Sequence, residues 1–164
     1  MSANRGSLRD YMLYYSKCMI GGAWACGFTH TGIVTLDVVK CRRQVDKNFA
    51  NSLMEGIQKI RRTEGVRGLT LGWAATFVGY NLQGIGKFGF YEIFKDFYAR
   101  TVGDNVQKYR YIGYTLSSAC AEVIADLLLC PWESLKVRTQ TSKLGTFPTT
   151  FWKGFTKIRS EEGA

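Results

Sequence analysis

The chain has 164 residues, 46% hydrophobic, 14% aromatic and 21% charged, with a formal net charge of +9. That length suits one domain, and the apolar content excludes a disordered, collagen-like or low-complexity chain. The basic surplus admits nucleic acid, anionic headgroups or an anionic substrate. Nucleic acid fits worst, because no basic cluster is interleaved with aromatics in a reader motif.

In chain order, the first ten residues carry Arg5, Arg9 and Asp10 and no apolar signal core, which argues against secretion. Residues 13–42 read as one long helix, in which Cys18–Leu36 holds no Asp, Glu, Lys or Arg. At about 1.5 Å per residue such a helix crosses a bilayer with its headgroups. Lys40, Arg42 and Arg43 follow as headgroup anchors. Residues 51–63 read as a short interfacial helix, with Leu53, Ile57 and Ile60 on one face and Glu55, Lys59 and Arg62 elsewhere. A second long helix is expected over 71–99, where the uncharged run Leu69–Gly86 ends at Lys87. A third is expected over 110–141, kinked at Pro131, and 149–161 begins another short helix. The apolar runs are rich in Gly and Thr, so they should pack on protein or line a watery cavity as well as touch lipid. The expected fold is all-α, a transmembrane helical bundle. The five cysteines form no CxxC pair and read as small buried hydrophobes, so no metal site is expected.

The chain also repeats itself. Asp37, Lys40, Arg42 and Gln44 match Glu133, Lys136, Arg138 and Gln140 at an offset of 96, with the acid conserved in charge. Gly56, Lys59, Ile60, Arg61, Glu64 and Gly65 recur as Gly154, Lys157, Ile158, Arg159, Glu162 and Gly163 at an offset of 98. A two-residue loop difference accounts for the change. The expected organisation is a first repeat over 1–100 and a second, incomplete one over 101–164.

Ionisable groups sit where lipid would not tolerate them. Glu122, Asp126 and Glu133 share one face of the third helix, and His30 and Asp37 share a face of the first. Acids at membrane depth cost roughly 3 kcal/mol each on insertion scales unless they face a cavity or a partner. The same acids could instead form the wet face of a soluble helix. Gly79, Gln83 and Lys87 recur every four residues, so Lys87 is either a cavity-facing cation or a snorkelling anchor. No nucleophile–base pair, Gly-rich phosphate loop or metal-ligand set suggests an enzyme or a cofactor.

Pro131-x-Glu133-x-x-Lys136, an Asp37-x-x-Lys40 counterpart, the later Glu64-Gly65 and the segment Tyr91-Glu92-x-x-Lys95 resemble the signatures of the mitochondrial carrier family. The segments Cys26-Gly-x-Thr-His30-Thr31, Gln83-Gly-x-x-Lys87-Phe-Gly and Ala121-Glu122-x-x-Ala-Asp126 are similar to its phosphate-transporting branch. Two departures stand out: Thr35 replaces the motif proline, and Thr70-Leu71-Gly72 lacks the usual aromatic and base. The resemblance implies three repeats around a central cavity, so this chain would be a truncated piece with the third repeat missing. It implies a multi-pass protein of the mitochondrial inner membrane that imports inorganic phosphate with a proton by alternating access. Phosphate would meet Lys87, with Gln83, Thr31 and the Gly79–Tyr80 backbone donating hydrogen bonds. His30, Glu122 and Asp126 would carry the proton, the alternative being that His30 only packs between helices. Asp37, Lys40, Glu133 and Lys136 would form the matrix-side gate network, and Glu92 and Lys95 the cytoplasmic-side one. Phospholipid headgroups, with cardiolipin as one candidate, would bind at the short-helix ends. Other readings are a transport-inactive membrane scaffold and a carrier for another small anion.

Overall fold

The structure, a computed structural model, describes residues 8–142, 147–148 and 151–162. Seven α-helices occur among them: α1 (Leu8–Gly32), α2 (Val34–Val45), α3 (Leu53–Thr63), α4 (Gly65–Leu69), α5 (Trp73–Val102), α6 (Arg110–Thr141) and α7 (Phe151–Glu162), with a 3₁₀ turn at Gly103–Gln107 before α6. No strand occurs among the described residues.

Two expectations from sequence need correction. Residues 13–42 are not one helix: Ile33 leaves helical geometry at φ −99° and ψ 6° and separates α1 from α2. The Leu36 amide donates to the Ile33 carbonyl at 2.9 Å, a tight turn that restarts the helix. The interruption thus lies two residues before Thr35, at a position whose preceding residue is Gly32. The helix α6, which does hold a proline, runs unbroken through Pro131. The second correction concerns the cysteines. Cys120 and Cys130 are exposed, because the buried face of α6 runs through Gly113, Ser117, Ala121 and Ala125, and neither cysteine falls on it.

By length and composition, α6 is the helix among the described residues that is both long and apolar enough to cross a membrane. The helices α1 and α5 have the length, 25 and 30 residues, but dilute their apolar side chains with Gly, Thr, Asn, Gln and charge. Helices that border water on one side are expected to be so diluted. Large apolar side chains stand exposed along all three, among them Ile20, Trp24, Phe28, Phe97, Leu116, Val123 and Leu127. Such a surface suits hydrocarbon rather than water.

The chain packs as two compact units, Met1–Gly27 with Tyr80–Leu129 and Phe28–Gly79 with Cys130–Ala164. In the first, α1 and α5 meet at glycines. A methyl group on Gly84 would strike the Gly22 backbone, and one on Gly86 would lie 3.2 Å from the Ala125 Cα of α6. Only residues without a side chain permit backbones so close.

In the second unit, Val38, Val39, Ile60, Leu69 and Leu71 form the core, with Phe49 and Ile57 packed on it. The helix α3 starts where Ser52 accepts the Glu55 amide at 3.2 Å while Glu55 accepts the Asn51 amide at 2.9 Å, a reciprocal cap that the Ser-x-x-Glu spelling announces. Its face carries Gly56 against Val39, where a Cβ would lie 2.5 Å from Cγ1. The same fit recurs at Gly154 against Leu135, at 2.8 Å. These pairs occupy matching positions of the internal repeat, so the repetition extends from sequence to packing. The short helix α4 lies between Gly65 at φ +71° and Gly72 at φ +80°, both in the left-handed region that glycine adopts without strain.

Candidate functional site

In the first unit, α5 and α6 face each other with polar side chains on consecutive turns. Lys87 Nζ lies 2.6 Å from Glu122 Oε2, and Gln83 Nε2 donates to Asp126 Oδ1 at 3.1 Å. The spacing of four on both helices makes these two rungs of one ladder. The Lys87 and Glu122 side chains retain 44% and 38% of their exposure, so the pair is wet and can exchange partners. An open cavity of about 680 Å³ lies against it, lined by Lys87, Tyr91, Tyr111, Tyr114, Ser118 and Glu122 among others. It combines one ammonium, one carboxylate and several hydroxyls on an otherwise apolar wall.

Charge decides what this arrangement can accept. With Glu122 and Asp126 ionised, the four ladder side chains sum to one negative charge, which repels an anion.

The second unit holds a different set. Lys136, only 4% exposed, pairs with Asp37 Oδ2 at 2.9 Å and Glu133 Oε1 at 3.3 Å. The second oxygen of Glu133 is buried with no hydrogen-bond partner among the described residues. Lys40, the repeat counterpart of Lys136, is exposed. Next to this cluster, Arg42 holds Glu64 through two bonds of 2.5 and 2.8 Å and donates Nε to the Gln140 carbonyl at 3.0 Å. Gln140 in turn donates to the Leu71 carbonyl at 3.3 Å. His30 is half-buried and close enough to feel the charges of Lys136, Asp37 and Glu133.

Of the residues expected at a substrate and proton site, Gln83, Lys87, Glu122 and Asp126 come together, and Tyr80 lies on the same helix α5. His30, Thr31 and Gly79 belong to the second unit, and there His30 keeps company with the gate acids and Lys136. Glu92 and Lys95 pair with each other one turn apart on α5. Sequence reasoning missed three things. It assigned Gln83 to the substrate and Asp126 to the proton without joining them. It overlooked the Arg42–Glu64–Gln140 brace, although the repeat had flagged all three residues. It gave Tyr14 and Tyr15 no partners, and these lie 78 and 81 positions away in sequence.

The sequence profile of the mitochondrial carrier protein family matches residues 12–102 and 107–164. The chain belongs to that family. It is 46% identical over 151 residues to the probable mitochondrial phosphate carrier protein of Schizosaccharomyces pombe, covering 92% of this chain and 48% of the relative. The mitochondrial phosphate carrier protein of Caenorhabditis elegans is 50% identical over 137 residues, 83% of this chain and 40% of its own length. Solute carrier family 25 member 3 of Homo sapiens is 43% identical over 163 residues, 99% of this chain and 43% of its own length. This carrier-family chain therefore spans less than half the length of these relatives. No solved structure matches it.

Proposed function

We propose that the protein belongs to the machinery that carries inorganic phosphate with a proton into the mitochondrial matrix, as a multi-pass component of the inner membrane. Its role is transport rather than catalysis. The observation that carries the reading is the wet Lys87–Glu122 pair beside a cavity with several hydroxyls in its wall. Phosphate and Glu122 compete for the same ammonium. Protonation of Glu122 hands Lys87 to the anion, so the two ions enter together and the membrane potential opposes the pair less than the anion alone. Gln83 holds Asp126 and orients the second acid of the ladder. Thr31, Gly79 and Tyr80 are assigned to phosphate, and His30 to the proton, by resemblance.

The gate follows from the second unit. Asp37 and Lys136 form one link of a matrix-side ring. The orphaned Glu133 oxygen and the exposed Lys40 are the ends that a further repeat would join. Repeats over 1–100 and 101–164 set this spacing. Glu92 and Lys95 supply the corresponding pair on the cytoplasmic side. Headgroups, cardiolipin among them, are assigned to the short-helix ends.

The test is uptake of radiolabelled phosphate by proteoliposomes containing the complete gene product, with and without an acid-outside pH step. Uptake is expected, faster with the step, and absent from Lys87→Gln. Normal uptake by Lys87→Gln would remove Lys87 from the site. Uptake of another anion but not phosphate would favour a different carrier, and no uptake at all a scaffold.

A further inference from the structure

The ladder at Lys87 leaves a second set of contacts in the first unit unused. Three tyrosines near the start of α1 meet three charged residues spaced by four on α5. Tyr14 donates its hydroxyl to Glu92 Oε2 at 2.9 Å, and Tyr15 donates to Asp96 Oδ2 at 2.5 Å. The Tyr11 ring lies 5.6 Å from the Arg100 guanidinium. The Lys95 ammonium pairs with Glu92 at the same Oε2 that Tyr14 occupies. Glu92 is only 13% exposed, so its rotamer is set by these two donors rather than by water.

The two donors differ in consequence. Lys95 neutralises Glu92, whereas Tyr14 adds a hydrogen bond without adding charge. A tyrosine ring has two side-chain torsions, and the Tyr15–Asp96 bond pins the same stretch of α1 to α5, so the Tyr14 hydroxyl is delivered with little freedom to lose. Both bonds use one oxygen, and the other is engaged by neither.

We propose that Tyr14 is a positioning residue for Glu92: its hydroxyl fixes the carboxylate so that one oxygen stays on Lys95 while the other is presented to a cation arriving from a neighbouring repeat. The proposal rests on the carrier reading above, in which Glu92 changes partner as the gate opens and closes. Without the hydroxyl, Glu92 turns both oxygens onto Lys95, one turn away on its own helix, and the exchange slows. Tyr14 touches neither Lys87 nor Glu122, so substrate affinity is left alone.

The experiment compares Tyr14→Phe, Tyr11→Phe and the unaltered complete gene product in proteoliposomes. Tyr14→Phe is expected to lower the maximal rate of phosphate uptake roughly three- to tenfold, the loss of one hydrogen bond of ordinary strength. Its KM is expected to stay within about twofold, because the substrate contacts are intact. Tyr11→Phe keeps the ring that Arg100 meets and is expected to behave as the unaltered protein. A thermal-unfolding cycle of Tyr14→Phe, Glu92→Ala and the double variant in detergent reads the contact itself and is expected to be non-additive. Additive effects, an unchanged maximal rate in Tyr14→Phe, or a KM that rises as the rate falls would each overturn the proposal. If the unaltered protein takes up no phosphate, the carrier reading fails instead, and the cycle still decides whether Tyr14 holds Glu92.

Discussion

The Arg42–Glu64 pair of the second unit and the Lys87–Glu122 pair of the first use the same chemistry, a cation on a carboxylate, in opposite ways. In the second unit Lys136 is 4% exposed where it meets Asp37, and Arg42 and Glu64 are 10% and 16% exposed and bonded at both ends. In the first, Lys87 and Glu122 are each more than a third exposed and joined by one short bond. A buried charge stripped of its partner costs several kcal/mol, whereas an exposed pair is worth at most about 1 kcal/mol. The Arg42–Glu64 pair is therefore held as structure, whereas the Lys87–Glu122 pair is free to exchange partners. Stability in the first unit comes from elsewhere, from backbone contact at Gly22 and Gly84.

Four substitutions would break or sharpen that contrast. The largest effect is expected from Glu64→Ala, which leaves Arg42 buried and unpaired and should cost roughly 3–5 kcal/mol in detergent unfolding. A cost near zero would mean the brace is wet. Gly84→Ala drives a methyl group into the Gly22 backbone, which cannot swing aside, and should cost roughly 1–3 kcal/mol by the same measurement. Thr35→Pro should stabilise by about 0.4–1 kcal/mol. Thr35 is the second residue of α2, where the amide has no partner within the helix and a fixed φ suits the first turn. A loss of stability there would show that the break at Ile33 depends on a free Thr35 amide. The smallest effect on stability belongs to Lys87→Gln, less than about 1 kcal/mol either way, although phosphate binding should vanish.

Much of this was legible in the sequence, for identifiable reasons. The end of α3 at Thr63 follows from an apolar stripe at Leu53, Ile57 and Ile60, while its start lies at Leu53 rather than at 51, where Ser52 caps it. The α6 boundaries follow from a long run broken before Lys136 only by acids, which proved to have partners. The break at Ile33 was not legible: no proline marks it, and in the other repeat α6 passes through Pro131 unbroken. Nor was α4, five residues that begin at Gly65 and are followed by a turn at Gly72. At the site, helical spacing grouped Gln83 with Lys87 and Glu122 with Asp126. It could not say which rung met which, since pairing across helices depends on their relative rotation. Nothing in the spacing of Tyr14 and Tyr15 points to a partner on a distant helix. Only the fold shows that their hydroxyls end on Glu92 and Asp96.

The central claim is that phosphate takes the place of Glu122 on Lys87. Nitrogen NMR of the labelled Lys87 ammonium in the detergent-solubilised protein reads this directly. Phosphate should move that resonance saturably, and chloride at matched ionic strength should not. A resonance that ignores phosphate, or follows both salts alike, would contradict the account.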